Sequence, residues 1–61
     1  MKHTEHQYVN LGFKYERAKS PEAGTAIARA IRGLLESETI DDRTEARHLV
    51  EQGRKEARTT A

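Results

Sequence analysis

The chain has 61 residues, a mass of 6.9 kDa and a formal net charge of +1, which leaves room for one small domain. It contains no cysteine, so a disulfide framework and a thiolate zinc site are both excluded. No apolar run approaches the roughly 20 residues of a membrane helix and no signal-peptide core is present, so a soluble, cytoplasmic chain with no membrane partner is expected.

The first segment reads two ways. As a helix over about 5–19, Thr4 is a cap with Gln7 three residues on, and Tyr8, Leu11, Tyr15 and Ala18 share one face. Val9 and Phe13 then fall on another side of the wheel, and Gly12 costs about 1 kcal/mol. As a strand over 8–15, Val9, Leu11, Phe13 and Tyr15 alternate with polar residues or glycine, and their types favour sheets. A lone strand would need its copy in a dimer, and helix is the preferred reading.

The second segment is plainer. Ser20 is a side-chain acceptor before Pro21, which suits the first helical position, and Glu22 follows in the first turn. Ala23, Ala26, Ile27, Ala30, Ile31 and Leu34 then repeat at helical spacing, predicting a helix over 21–38 with Leu34 at the heart of its stripe. In the third segment Asp41 or Asp42 is expected to cap a helix over 42–57. Ala46, Leu49, Val50, Gly53 and Ala57 form a narrow stripe of small residues that lets another helix approach closely. Residues 1–61 are thus expected to be a single all-α domain, a small bundle of two helices plus an N-terminal third.

Apart from eight alanines and Met1, only twelve side chains are apolar. Domains this short commonly lean on a disulfide, a metal or a second subunit. With the first excluded and no metal site apparent, a homodimer is the expected partner state. Aromatic and aliphatic side chains that one stripe cannot bury are typical interface anchors. The expected protein-binding surface therefore comprises Tyr8, Val9, Leu11, Phe13 and Tyr15, with Leu35 from the second helix.

Two resemblances follow from these patterns. In the helical reading, Tyr8, Leu11, Gly12 and Tyr15, followed by Ala23, Ile27 and Ala30, resemble a single tetratricopeptide repeat, which implies an αα-hairpin of the first two helices. Ile27 stands where that family has an aromatic residue, and no proline closes the repeat. In the strand reading, the order strand, helix, helix resembles the ribbon-helix-helix DNA-binding dimers. That resemblance implies a transcriptional regulator with Asn10, Lys14 and Arg17 toward DNA. Asp41 and Asp42 would then sit where a phosphate approaches the last helix, and would repel it.

Chemistry is sparse. Glu45 and His48 have the Glu-x-x-His spacing of di-metal bundles, but at 100° per residue they leave the small-residue stripe, where inward ligands would be needed. Ser20 and Ser37 suit a cap and a loop, and no glycine-rich phosphate loop occurs. No catalytic residue, metal, cofactor or small-molecule substrate is expected. The arginines of the last two segments, interleaved with acids, read as a solvated face of mixed sign. The expected function is a small non-enzymatic protein-interaction or regulatory module, such as an accessory protein of phage or plasmid type. A DNA-binding regulator is the alternative.

Overall fold

Three hydroxyls set where the helices begin in the computed structural model, which describes residues 1–60. Thr4 Oγ1 accepts the Gln7 N–H while the Gln7 side chain accepts the Thr4 N–H, a complete capping box that opens α1, Glu5–Glu16. Ser20 Oγ accepts the Ala23 N–H and Pro21 occupies the first turn of α2, Pro21–Glu36. Thr39 Oγ1 accepts the Asp42 N–H and opens α3, Ile40–Thr59. The fold is all-α, and among the described residues there is no strand.

Several boundaries differ from expectation for local reasons. α1 stops at Glu16 rather than Lys19, because Ser20 precedes proline and must be extended (φ −140°, ψ 155°) to cap α2. α2 stops at Glu36 rather than Glu38, because Ser37 turns its hydroxyl onto the Leu34 carbonyl and Glu38 swings toward the N-terminal segment. The cap of α3 is Thr39, which leaves Asp41 and Asp42 inside the first turn, where their charge favours the helix dipole. Residues 8–15, the strand of the ribbon-helix-helix alternative, are helical throughout.

The short links 17–20 and 37–39 reverse the chain twice, so α1 and α3 run parallel and α2 runs antiparallel to both. Glu16 accordingly meets Arg54 and Arg58 at one end, while the N-terminal ammonium lies 3.3 Å from Asp42 at the other. α1 packs chiefly against α3, not against α2 as the αα-hairpin of a tetratricopeptide repeat would require. The cause is a pair of buried glycines. A Cβ on Gly12 would run into the Val50 carbonyl, and one on Gly53 into the Val9 carbonyl. Their absence lets the two backbones touch, with Ala46 and Ala57 buried above and below.

Among the described residues, Tyr8 is the large side chain that is fully buried. Its hydroxyl donates to Glu38 Oε2 at 2.7 Å, and Glu38 also accepts the Lys2 N–H at 2.6 Å and the His3 N–H at 3.3 Å. Burial, then the neighbouring carboxylate, pushes the Tyr8 phenol well above its ordinary range. Burial also pulls the Glu38 carboxyl upward. The hydrogen bonds from Tyr8, Lys2 and His3, with the N-terminal charge, outweigh it and hold the group below the usual glutamate range. A carboxyl whose pKa is lowered by folding stabilises the fold above its unfolded value, near 4.3, and that contribution vanishes as pH falls through the lowered value. Melting temperatures should therefore drop for the wild type as pH is taken below about 4. Glu38→Gln should show a lower plateau near neutrality and a shallower acid limb; identical pH profiles would remove Glu38 from this role.

α2 is the exception to this packing. Its stripe exists as the sequence implies, yet none of its residues is buried. Leu34, expected at the heart of the stripe, is only half-covered, as are Ile27, Ile31 and Leu35, while Ala23, Ala26 and Ala30 are exposed. Gly33 is exposed too, with open space where a Cβ would stand. Gly33→Ala should stabilise the protein by up to about 1 kcal/mol, seen as a melting point a few degrees higher. An unchanged or lower melting point would contradict the open setting.

Candidate interaction surface

Of the six residues expected to form one binding surface, the structure scatters five and removes the sixth. Tyr8 is sealed in the core, its hydroxyl bonded to Glu38 and to the Leu34 carbonyl and its ring edge-on to His3, so it is not exposed on this surface. Leu11 lines a shallow opening between α1 and α2 with Ala30, Gly33 and Leu34. Val9 and Phe13 leave α1 on the side away from Leu11, half-buried, with their backbone against Gly53, and the Arg17 guanidinium lies 5.3 Å from the Phe13 ring centre. Tyr15 and Leu35 lie instead at opposite ends of the space between α2 and α3. Asn10 and Lys14, proposed for DNA in the strand reading, are exposed on a helix, and Arg17 is the C-cap of α1.

The side of α2 that faces α3 borders two of the openings on the surface. α2 barely touches α3, and an opening of about 320 Å³ lies between them. One of about 760 Å³, walled by α2, the end of α1 and the link after it, reaches α3 only at Arg54, the two sharing Ala28 and Arg32. The two openings adjoin at these residues and together make the groove. The smaller opening brings the apolar side chains of Ala28, Ile31 and Leu35 together among polar groups, and Tyr15 lines the larger one.

The lips of the groove are cationic. On the α3 side Arg43, Arg47 and Arg54 recur at spacings of four and seven, which places them on one edge of the helix. On the α2 side stand Arg29 and Arg32, with Lys19 from the preceding link. Against these six cations the groove holds two carboxylates, Glu16 and Glu36, a local balance of +4 in a chain whose total is +1.

The cations are not equivalent. Arg54 donates to Glu16 at 2.9 Å and Glu51 at 3.1 Å and lies 5.1 Å from the Tyr15 ring centre. Its bond to Glu16, chiefly, raises an affinity for protons that is already high. Arg43 donates to the Leu35 and Glu38 carbonyls, which closes the C-terminal end of α2 and fixes the guanidinium at the groove mouth. Lys19, Arg29, Arg32 and Arg47 meet no carboxylate among the described residues.

The mixed-sign reading of these arginines missed the groove because it averaged along the chain. On the α3 wheel, Asp41, Glu45 and Glu56 fall on a different side from Arg43, Arg47, Arg54 and Arg58, while Glu51 falls beside them and pairs with Arg54. Glu45 and His48 are both exposed on α3, and no group of three His, Cys, Asp or Glu side chains converges among the described residues. No described helix is long and apolar enough to cross a membrane. Compared with protein-family models, curated proteins and solved structures, the chain has no match in any of the three.

Proposed function

We propose that this chain is a non-enzymatic protein-interaction module that receives a partner helix along α2, in the groove shared with α3. One observation carries the reading: α2 is the most amphipathic of the three helices, yet not one of its residues is buried. A helix of 16 residues normally owes its stability to a covered apolar face. Here Gly12 and Gly53 commit α1 and α3 to each other, and α2 keeps Ile31 and Leu35 half-covered toward the groove. The two groups whose acidity is shifted to hold the core, Tyr8 and Glu38, are bonded to one another beneath the N-terminal segment and face no groove, which supports a structural rather than catalytic use.

Affinity capture from a lysate of the host cells, with and without nuclease, tests this when wild type is run beside Ala28→Gln. Glutamine is a good helix former that places a polar amide in the opening with Ile31 and Leu35. Expected is a specific protein retained after nuclease by the wild type and reduced about tenfold with the variant, whose helix content is unchanged. Equal capture by both, or capture that nuclease abolishes, would overturn the reading.

A further inference from the structure

We infer that the occupant of the α2–α3 groove is an acidic amphipathic helix: an apolar stripe flanked by carboxylates on both edges. The inference rests on the docking reading above and adds the chemistry of the partner. Its basis is the match between the groove's cross-section and that of such a helix. In the smaller opening Ala28, Ile31 and Leu35 offer apolar contact, and cations flank them on both helices, Arg32 on α2 and Arg43 and Arg47 on α3.

The length fits as well. From Arg43 to Arg54 the α3 edge rises about 16 Å, at 1.5 Å per residue, which is three helical turns. Carboxylates one turn apart on the two edges of a guest helix would face Arg47 on one lip and Arg29 and Arg32 on the other. None of these three meets a carboxylate within the described chain, so each can accept a guest carboxylate without breaking an existing pair. Arg43 is held by two carbonyls and Arg54 by two carboxylates, so the groove ends are rigid while its middle is chemically free.

A nucleic-acid backbone is the other polyanion, and it fits less well. Phosphates would satisfy the lips but leave Ile31 and Leu35 uncovered, and Glu16 and Glu36 would stand against the strand. A second copy of this chain is the remaining occupant. Its exposed acidic edge, Asp41, Glu45 and Glu56, is confined to α3 and interrupted by His48 and Gln52.

The test uses the full chain and three probes: a synthetic helix of roughly 16 residues with a leucine stripe flanked by glutamates, the same peptide with every glutamate replaced by glutamine, and a double-stranded oligonucleotide. Expected is saturable binding of the acidic peptide by calorimetry, about tenfold weaker for the glutamine peptide, and weaker again as ionic strength rises. Arg32→Gln combined with Arg47→Gln should lower acidic-peptide affinity about tenfold while leaving the glutamine peptide unaffected. Equal affinity for both peptides, preference for the oligonucleotide, or a dimer by sedimentation whose groove excludes the peptides would each overturn the inference. If the acidic peptide fails while Ala28→Gln still abolishes capture of the cellular partner, the acidic-helix assignment falls and the docking reading stands.

Discussion

Replacing Gly53 by alanine is expected to lose at least about 2 kcal/mol of stability, although alanine is the better helix former by about 1 kcal/mol. The added methyl would meet the Val9 carbonyl oxygen and lie 2.8 Å from its carbon and 2.9 Å from the Phe13 nitrogen, all backbone atoms that no rotamer change can move aside. α1 and α3 must separate to admit it, and Tyr8, Ala46 and Ala57 then lose their covering together. Gly12→Ala should behave alike, since its methyl would strike the Val50 carbonyl and lie 2.8 Å from the Val50 carbonyl carbon. The pair should cost less than the sum of the single changes, because helices already pushed apart accommodate the second methyl more easily. Urea titrations of the two variants beside Gly33→Ala make the comparison: opposite signs are expected for the buried and exposed glycines. Stabilisation by alanine at all three would contradict backbone contact.

Tyr8→Ala is expected to be the most damaging single truncation, costing about 3–5 kcal/mol for the ring alone. A domain of this length has a total of only about 3–9 kcal/mol to lose. The variant should therefore be largely unfolded at room temperature by far-UV circular dichroism. Tyr8→Phe keeps the ring and removes only the hydroxyl that serves Glu38 and the Leu34 carbonyl. It should fold, with a lower melting point and a Glu38 that titrates closer to the ordinary range, because one of the hydrogen bonds holding that carboxyl down is gone. A stable Tyr8→Ala protein would mean that the core lies elsewhere.

These two positions also show what a reading of the residues can and cannot reach. Local signals carried well: Thr4 with Gln7, and Ser20 before Pro21, each begin a helix for reasons confined to one turn. The close approach implied by Gly53 among small residues is present, against the Val9 and Phe13 backbone, and Gly12, which looked like a helix penalty in isolation, makes a matching approach to Val50. Glu38 is different. Its three donors come from Tyr8, Lys2 and His3, at least 30 residues away, so nothing near it in the chain marks it as a buried carboxylate. Tyr8 was misplaced for the same reason: an aromatic on a helix face anchors a partner or a core according to what folds over it. The arginine groove was hidden by its composition. Its cations come from α2, α3 and the link before α2, and of the acids near them in sequence Asp41, Glu45 and Glu56 project elsewhere.

Under the proposed docking reading, the arrangement also separates stability from recognition. α1 and α3 form the firm pair, joined by glycine contact and the Glu16–Arg54–Arg58 ion cluster, and substitutions there should be felt in folding. α2 contributes half-covered side chains and cationic lips, and substitutions there should be felt mainly in binding.

Native-state hydrogen exchange, residue by residue on the isolated protein, tests that division most directly. Amides in the middle of α1 and α3 should exchange only through global unfolding, with α2 amides from Ala26 to Leu34 opening at lower free energy and gaining protection when a partner helix is bound. Protection of α2 equal to that of α1 and α3 in the free protein would mean that its face is already covered, and the docking groove would lose its basis.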